Sequence, residues 1–387
     1  MDLHRRILGE LSDLESRGQL RSLQTRQGVD LNSNDYLGLS THPRMKRRIL
    51  EAVNAAERTA STGSRLLSGQ DDAWDLLEGD FARWVGAEAA LYFTSGYAAN
   101  SGLLSAVLRP EDTVFSDSAN HASIIDGIRL SKCRRVIFPH LDLNFLEREL
   151  RRDAANAGAR VIVVESIFSM EGDRASLTQL AGLAARYGAE LIVDEAHAIG
   201  VRGPRGSGCV AEAGLSGQVF ATVCTCGKAL GAAGAFVCGS ENLRRFLINR
   251  ARTFIFSTAL PPYFAAQVTA GMNLAQEADR ARFALAASSA FLRNELRAHG
   301  FDAARGDSQI VPVILGENDT ALQFAEFLSA CGFHARAIRP PTVAEGTARL
   351  RLSVTSDLTK EVLAELVAAM VQARAEYPAA RAFSASP

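Results

Sequence analysis

The sequence predicts an α/β protein in which a mostly parallel sheet of seven strands is covered by helices. Three observations lead to this fold class. Short apolar runs rich in Val, Ile and Phe alternate with amphipathic helical stretches from about residue 41 to about residue 240, the pattern of parallel strands joined by crossover helices. The runs are apolar at nearly every position, as in strands buried on both faces. The chain has 387 residues, 47% of them apolar, which is enough for two or more domains with a large core.

The amino-terminal part predicts a helix followed by a turn. In residues 1 to about 20, one side of the predicted helix carries Ile7, Leu8, Leu11 and Leu14. Residues 29–40 contain a short extended piece and the turn SNDYLG. The alternating region then begins with a helix whose apolar face consists of Trp74, Leu77, Phe81 and Val85.

The seven candidate strands follow in order along the alternating region. They are 89–93, 113–116, 135–138, 160–164, 190–194, 219–223 and 234–238. After about residue 270 the pattern changes to a helix at 277–299, strands at 309–315 and 348–354 around a helix at 319–331, and a last helix at 358–375. We therefore expect an amino-terminal helix and extended segment (1–40), a large domain (41–270), a smaller α+β domain (271–375) and a flexible tail (376–387).

Composition excludes several classes of function. The formal net charge is -1, so no global field favours nucleic acid or an anionic membrane. No apolar run is long enough to span a bilayer, and the amphipathic start of the chain is unlike a signal peptide. The six cysteines have neither zinc spacing nor a disulfide framework. We expect no metal site and a cytoplasmic protein with buried, reduced thiols.

A lysine, an aspartate and a histidine follow two of the predicted strands. Lys228 stands in the turn TCGKALG, and Asp194 and His197 stand in DEAH at the end of the strand 190–194. A lysine on a glycine-flanked turn can form a Schiff base, a buried carboxylate can hold a protonated pyridine nitrogen, and a histidine three residues on can reach a phenolic oxygen. Together they meet the electronic requirements of pyridoxal 5'-phosphate (PLP).

The segment SGYAAN predicts an anion site. It follows the strand 89–93 and begins a helical pattern. Free backbone N–H groups and the helix dipole at such a terminus both favour a phosphate. Many α/β turns share this arrangement, so the segment is a weak signal when it is taken alone.

Several long motifs resemble one family, the α-oxoamine synthases. The stretches are SNDYLGLS, FTSGYAAN, ESIFSMEGD, DEAHAIGVRG, TCGKALG, INRARTFIFSTALPP and AIRPPTVAEGTARLRLS, in this order between about residue 20 and about residue 370. The resemblance implies a PLP-dependent transferase of fold type I, with a large PLP-binding domain and a smaller carboxy-terminal domain. It further implies a homodimer with its active sites at the subunit interface.

The resemblance also implies cofactor contacts residue by residue. The phosphate is held by Gly96, Tyr97 and Thr225, and by Thr258 from the partner subunit. His121 stacks on the pyridine ring, Asp194 pairs with its nitrogen and His197 binds its phenolic oxygen. Lys228 carries the Schiff base and then acts as the base. Around them lie Ser169, near the phenolic oxygen, and Glu165, a carboxylate beside the site.

Substrate contacts follow from the same resemblance. Strand alternation places Arg349 and Arg351 on one face, and the family uses the second arginine for the carboxylate of the amino acid, so Arg349 is expected to be a surface arginine. Arg339 matches a family residue near the product, and Thr342 is expected to contact the substrate. Arg21 is expected to contact the far end of the acyl chain, and Asn34, another expected substrate contact, is expected to line the cleft with Tyr36 of SNDYLG.

The implied reaction is a decarboxylative condensation. The motifs most resemble the biotin-pathway members of the family, acyltransferases that join L-alanine to a pimeloyl thioester. The sequence leaves open whether the thiol carrier is coenzyme A or an acyl carrier protein. Alternatives with the same chemistry are a glycine acetyltransferase, a 5-aminolevulinate synthase, a serine palmitoyltransferase or a synthase of a signalling amino ketone. A rival from another class is a non-catalytic PLP-binding module, which Lys228 argues against.

Overall fold

The computed structural model describes residues 2–23, 25, 27–303 and 306–377. Of the predicted tail at 376–387, residues 378–387 lie outside this range. Among the described residues, no helix is both long enough and apolar enough to cross a membrane. The α-helices are α1 (Leu3–Ser16), α2 (Pro43–Ala55), α3 (Asp72–Val85), α4 (Gly96–Val107), α5 (Ala122–Ser131), α6 (Leu143–Arg152), α7 (Leu177–Tyr187), α8 (Cys209–Glu212), α9 (Glu241–Arg250), α10 (Arg252–Ile255), α11 (Tyr263–Gln276), α12 (Asp279–Ala298), α13 (Asn318–Ala330) and α14 (Lys360–Glu376).

The strands form three sheets. They are β1 (Val29–Asp30), β2 (Ala89–Phe93), β3 (Thr113–Asp117), β4 (Arg134–Phe138), β5 (Arg160–Glu165), β6 (Glu190–Asp194), β7 (Ala221–Thr225), β8 (Ala235–Gly239), β9 (Ile310–Gly316), β10 (Phe333–His334), β11 (Ala337–Ile338) and β12 (Ala348–Ser353). Packing divides the chain into a larger unit, Asn34–Ser169 with Arg174–Phe283, and a smaller unit, which consists of the described residues within 1–33, 170–173 and 284–387.

The larger unit is built on a seven-stranded sheet in the order β2-β8-β7-β6-β5-β3-β4. β8 runs antiparallel to both of its neighbours, and the other pairings are parallel. The prediction of a mostly parallel seven-stranded sheet is confirmed. α4 and the strands share a core whose members include Leu103, Leu104, Val163, Ile192 and Val223. Each such buried side chain stabilises the fold by about 1.5–3 kcal/mol relative to an exposed one.

Helix ends in the larger unit follow local sequence signals. α3 begins after Asp71, whose carboxylate accepts a hydrogen bond from the backbone N–H of Ala73, and it ends at Gly86 with φ of 73°. α4 begins after Ser95, whose hydroxyl accepts from the backbone N–H of Ala98. The capping serine therefore fixes the start of α4 directly after β2.

The smaller unit contains the sheet β11-β12-β9, which is antiparallel, and the parallel pair β1-β10. The parallel pair joins residues 29–30 to residues 333–334, so the amino-terminal segment belongs to the same unit as the carboxy-terminal one. In α1 the residues predicted to share one side leave their apolar side chains exposed, because no residue of this helix is buried. The predicted domain boundaries at 40 and 270 stay predictions.

The prediction that Arg349 is a surface arginine is wrong. Its side chain is buried, and its guanidinium donates to the carbonyl of Met170 (3.3 Å) and pairs with Glu171 (3.2 Å). Both partners lie in the short segment Met170–Asp173, which is part of the same unit. Strand alternation identified the face shared by Arg349 and Arg351 but could not show that this segment covers it.

Candidate active site

The carboxyl ends of four parallel strands meet at one edge of the larger sheet. Glu165, Asp194 and Thr225 are the last residues of β5, β6 and β7, and His121 follows β3. Open α/β sheets bind ligands at this edge. All four residues line a cavity of about 310 Å³, at the lower end of the range for small-molecule sites, roughly 300–1,000 Å³.

Five further residues predicted from the sequence line the same cavity. They are Asn34, Gly96, Tyr97, His197 and Lys228. Nine of the predicted site residues are therefore brought together by the fold, although they are spread between positions 34 and 228 of the sequence.

Asp194 is held as a buried carboxylate by two donors. Its Oδ1 accepts from the backbone N–H of Ala196 (2.8 Å), and its Oδ2 accepts from the amide Nδ2 of Asn100 (2.6 Å). Asn100 also donates to the Ser123 hydroxyl at 3.0 Å. Asn100 and Ser123 line the cavity but were missed as site residues. The available signal was an asparagine inside an otherwise apolar helix, where its low helix propensity needs a compensating contact.

Lys228 and His197 are in direct contact. The Nζ of Lys228 lies 2.8 Å from Nε2 of His197. The other ring nitrogen, Nδ1, lies 2.6 Å from the hydroxyl oxygen of Tyr36, and that hydroxyl donates to Oδ1 of Asn34 at 2.9 Å. Asn34 lines the cavity as predicted, whereas Tyr36 is not among the lining residues. Tyr36 instead contacts His197 from behind, so that these contacts connect the SNDYLG turn to Lys228.

His121 caps α5 and faces the cavity. Its Nδ1 accepts from the backbone N–H of Ser123 (3.2 Å) and lies 2.8 Å from the hydroxyl of the same residue. Burial lowers the pKa of His121 and outweighs the carboxylate of Asp194, which raises it, and the positive charge of Lys228 lowers it further. The imidazole is therefore neutral at neutral pH, the form that can lie flat against an aromatic ring without a charge.

Glu165 is buried with one oxygen free of protein partners. Its Oε2 accepts from the backbone N–H of Ser169 at 3.2 Å, whereas Oε1 has no hydrogen-bond partner among the described residues. Burial raises the pKa of Glu165, and the neighbouring charge of Asp194 raises it further. Ser169 is placed next to Glu165 but does not line the cavity.

The start of α4 forms the anion end of the cavity. The first turn of a helix has backbone N–H groups without helical partners, and here it begins at Gly96 beside the side chain of Thr225. A Cβ on Gly96 would lie 2.6 Å from Cγ2 of Thr225, so any larger residue would force the Thr225 side chain to shift. Tyr97 is tied by its hydroxyl to Asp126.

These residues fit PLP. The cavity provides an anion site at a helix start, an amine at Lys228 and a carboxylate at Asp194. Glu165 contributes an oxygen that has no hydrogen-bond partner in the described part of the chain. A group that carries a phosphate, an aldehyde and a basic ring nitrogen matches this donor set.

The remaining predicted residues lie elsewhere. In the smaller unit Arg339 donates to the carbonyls of Gly18 and Leu20, and the Arg21 guanidinium donates to the Thr342 hydroxyl at 3.1 Å. Burial, and then the charge of Arg21, lower the pKa of Arg339.

Two further predicted residues lie outside the cavity lining. Arg351 is buried in β12 and donates to the Ser353 hydroxyl at 2.6 Å. Thr258, in the larger unit, is exposed.

The chain is similar to known proteins along most of its length. The family described as aminotransferase class I and II matches residues 26–370. An 8-amino-7-oxononanoate synthase of Geobacter sulfurreducens is 44% identical over 383 residues, covering 95% of this chain and 97% of that protein. The solved structure of a serine palmitoyltransferase from S. paucimobilis with a bound PLP–myriocin aldimine is 27% identical with a TM-score of 0.90, over 98% of this chain and 100% of that one. An 8-amino-7-oxononanoate synthase from Francisella tularensis is 28% identical with a TM-score of 0.79, over 91% and 98%.

Proposed function

The chain belongs to the class I and II aminotransferase family, and from this premise we propose that it condenses L-alanine with a pimeloyl thioester. The products are 8-amino-7-oxononanoate, carbon dioxide and the free thiol carrier, a step of biotin biosynthesis. The enzyme is a PLP-dependent acyltransferase of fold type I, as its relatives are. One observation carries the proposal: the Lys228 amine lies 2.8 Å from His197 in a cavity that Asp194 also lines.

The residues of the cavity would hold PLP at its two charged ends. The backbone N–H groups at Gly96 and Tyr97 and the hydroxyl of Thr225 would hold the phosphate, and the carboxylate of Asp194 would pair with the ring nitrogen. Asn100 and the backbone of Ala196 hold the Asp194 carboxylate in place, because both donate to its oxygens. PLP, when it is bound, supplies an electrophilic aldehyde and an electron-withdrawing ring that stabilises negative charge on the α-carbon of the amino acid.

Lys228 handles the proton. An amine flanked by Gly227 and Ala229 can move between a bound and a free position, and in its neutral form it can accept the Cα proton of alanine. His197 lies within hydrogen-bond distance and can exchange a proton with this amine. His121, whose lowered pKa keeps the ring neutral, gives the cavity a flat wall.

Condensation forms one carbon–carbon bond and breaks three bonds, the Cα–H bond of alanine, a carbon–sulfur bond and a carbon–carbon bond. The α-carbon of alanine bonds to the thioester carbonyl carbon, the carbon–sulfur bond breaks, and the carboxylate then leaves as carbon dioxide. The leaving thiolate takes up a proton, and a proton returns to the α-carbon after carbon dioxide has left. We assign the carboxylate of alanine to Arg351, whose guanidinium fork suits it. We assign substrate or product contacts to Arg21, Asn34, Arg339 and Thr342.

We further propose a homodimer in which Thr258 completes the phosphate site of the partner subunit. Thr258 is exposed in its own chain. The segment around it is held in place, because the backbone N–H of Ala259 donates to the Gly63 carbonyl (2.9 Å) and the Ser61 hydroxyl donates to the Leu260 carbonyl (2.7 Å). The six free cysteines suit a reducing cytoplasm, the location that we propose for the enzyme.

Product analysis tests this proposal. The purified protein is incubated with PLP, L-alanine and pimeloyl-coenzyme A, and mass spectrometry together with a free-thiol assay follows product and coenzyme A release. We expect equimolar 8-amino-7-oxononanoate and free thiol, and no turnover by Lys228→Ala. Parallel reactions with glycine or L-serine and with acetyl, succinyl or palmitoyl thioesters decide between family members. Preference for one of these pairs would overturn the choice of substrate.

Serine palmitoyltransferase is the second candidate, because its structure gives a TM-score of 0.90. Its sequence identity is 27%, against 44% for the Geobacter sulfurreducens synthase. The two activities share fold and cofactor chemistry, so the backbone likeness does not separate them. The choice of amino acid in the product assay does.

A further inference from the structure

We propose that Asn34 and Tyr36 fix the proton of His197 on Nδ1, so that Nε2 is a bare base facing Lys228. The inference deepens the proposed function by naming Tyr36 as a positioning residue of its site. Four groups form a continuous chain: Lys228 Nζ, the two ring nitrogens of His197, the Tyr36 hydroxyl and the Asn34 amide oxygen. The successive distances are 2.8, 2.6 and 2.9 Å.

Counting protons from the Asn34 end fixes the tautomer. An amide oxygen only accepts hydrogen bonds, so the single hydroxyl proton of Tyr36 is directed at Asn34 Oδ1. The Tyr36 oxygen then presents a lone pair to His197 Nδ1. The Tyr36 oxygen and His197 Nδ1 are 2.6 Å apart, so Nδ1 must carry the proton that points at this lone pair. A neutral imidazole has a single N–H proton, so Nε2 then has none.

Counting from the Lys228 end gives the same answer. An ammonium group has three donors and no acceptor. When Lys228 is an ammonium, its Nζ can only donate, so His197 Nε2 at 2.8 Å accepts and carries no proton. The proton count from Asn34 and the count from Lys228 therefore give the same tautomer of His197. Because Tyr36 is fully buried, water does not compete for its hydroxyl.

With its proton held on Nδ1 by the Tyr36 contact, His197 can act as a base toward Lys228. An N–H bond of the Lys228 ammonium breaks and the proton binds to Nε2, which leaves a neutral amine and an imidazolium. The net charge is unchanged, and the Tyr36 oxygen stabilises the imidazolium by accepting from Nδ1. Lys228 is thereby delivered in the neutral form that attacks a carbonyl or accepts a Cα proton. Without the Tyr36 oxygen as an acceptor, the imidazole proton is no longer fixed on Nδ1 and can move to Nε2.

The direct test is nitrogen NMR of the cofactor-free full chain labelled with ¹⁵N-histidine. His197→Gln identifies the signals of His197 among the seven histidines. We expect a protonated Nδ1 and a bare Nε2 in the wild-type protein. In Tyr36→Phe and in Asn34→Leu, the ratio of the Nδ1-protonated to the Nε2-protonated form falls by about tenfold, roughly the value of one buried hydrogen bond.

Matched variants separate this role from a general loss of stability. Asn34→Asp keeps an acceptor for the Tyr36 hydroxyl and is expected to preserve the wild-type tautomer. Tyr92→Phe removes another buried tyrosine hydroxyl, one that donates to the Ala233 carbonyl at 2.8 Å, and is expected to leave His197 unchanged. A protonated Nε2 in the wild type, or an unchanged ratio in both Tyr36→Phe and Asn34→Leu, would overturn the proposal.

A second measurement keeps this proposal distinct from the proposed function. With PLP bound, exchange of the Cα proton of L-alanine with deuterium is expected to slow about ten- to a hundredfold in Tyr36→Phe and to be unchanged in Tyr92→Phe. If the wild type exchanges glycine or serine instead of alanine, the proposed substrate is wrong while the tautomer result stands. If alanine exchanges equally fast in Tyr36→Phe and the wild type, the inferred role of the tyrosine fails while the proposed function stands.

Discussion

Glu195 offers a quantitative test of the electrostatics beside the site. Its carboxyl group is 1% exposed, directly follows Asp194, and accepts from the backbone N–H of Val210 at 3.4 Å. Burial raises the pKa of Glu195 to about 7, from 4.5, and hydrogen bonds from Ser166 and nearby backbone groups oppose the rise only in part. Glu195→Gln removes the titrating proton and keeps the size of the side chain.

The sign and size of the effect follow from linkage. The folded protein holds the proton more tightly than the unfolded chain, so this group favours folding fully below about pH 4.5, and the contribution is lost as the pH rises through about 7. The pKa difference corresponds to about 3 kcal/mol over the whole range, at about 1.36 kcal/mol per pKa unit. About 2 kcal/mol of it falls between roughly pH 5.5 and pH 8. The variant lacks this loss.

Urea unfolding of the cofactor-free protein at several pH values measures the effect. The free energy of unfolding of Glu195→Gln, minus that of the wild type, is expected to rise by about 2 kcal/mol from about pH 5.5 to about pH 8. Glu190→Gln, which removes an exposed carboxylate at the start of the same strand, is measured in parallel as the matched control. A difference for Glu195→Gln that does not change with pH, or one that falls with pH, would refute the assignment of a raised pKa.

Three further predictions follow from contacts in the larger unit. Asn100→Ala removes a 2.6 Å donor from Asp194, so PLP affinity measured by absorbance titration is expected to fall about tenfold or more. Gly96→Ala places a Cβ 2.6 Å from Thr225 Cγ2, and PLP affinity is expected to fall and to recover in the double variant with Thr225→Ser, which lacks that methyl group. Glu78→Gln breaks buried ion pairs, and urea unfolding is expected to show a loss of about 3–5 kcal/mol.

Each of these three has a control in the same unit. Ser105→Ala, in the helix of Asn100, removes a hydroxyl that donates to the Ser101 carbonyl and should leave PLP affinity unchanged. Gly182→Ala adds a Cβ with no atom within 4 Å and should be neutral or stabilising. Asp75→Asn removes an exposed partner of the same ion-pair cluster and should cost less than about 1 kcal/mol. If a control changed PLP affinity or the free energy of unfolding as much as its paired variant does, the effect could not be assigned to the contact named for that variant.

Much of the large sheet could be predicted because its signals are local. Each strand is a short apolar run, and each functional residue follows such a run in the chain. Parallel strands bring their carboxyl ends to one edge, which is why Glu165, Asp194 and Thr225, the last residues of β5, β6 and β7, line one cavity. The predicted ends of a strand can differ from the observed ones. The apolar pattern predicts β7 at 219–223, whereas β7 spans Ala221–Thr225, because the apolar run begins two residues before the strand pairs with β6.

The parts that escaped prediction depend on partners distant in the sequence. Asn100 contacts Asp194 across 94 positions, and a polar residue in a helix gives no indication of its partner. Arg349 is covered by residues 170–171. The alternation of side chains along β12 shows which face Arg349 is on, but it cannot show that a distant segment buries it. The pairing of Val29 with Phe333 likewise joins segments that local patterns treat as unrelated.

The central claim is that Lys228 is the residue that binds PLP covalently. The most direct measurement is borohydride reduction of the PLP-loaded protein, followed by peptide mass spectrometry. The sequence contains three other lysines, Lys46, Lys132 and Lys360, which serve as internal controls. We expect a phosphopyridoxyl group on Lys228 alone, and a lower yield of the modified Lys228 peptide when L-alanine is added before borohydride. Modification of another lysine, or none after loading, would contradict it.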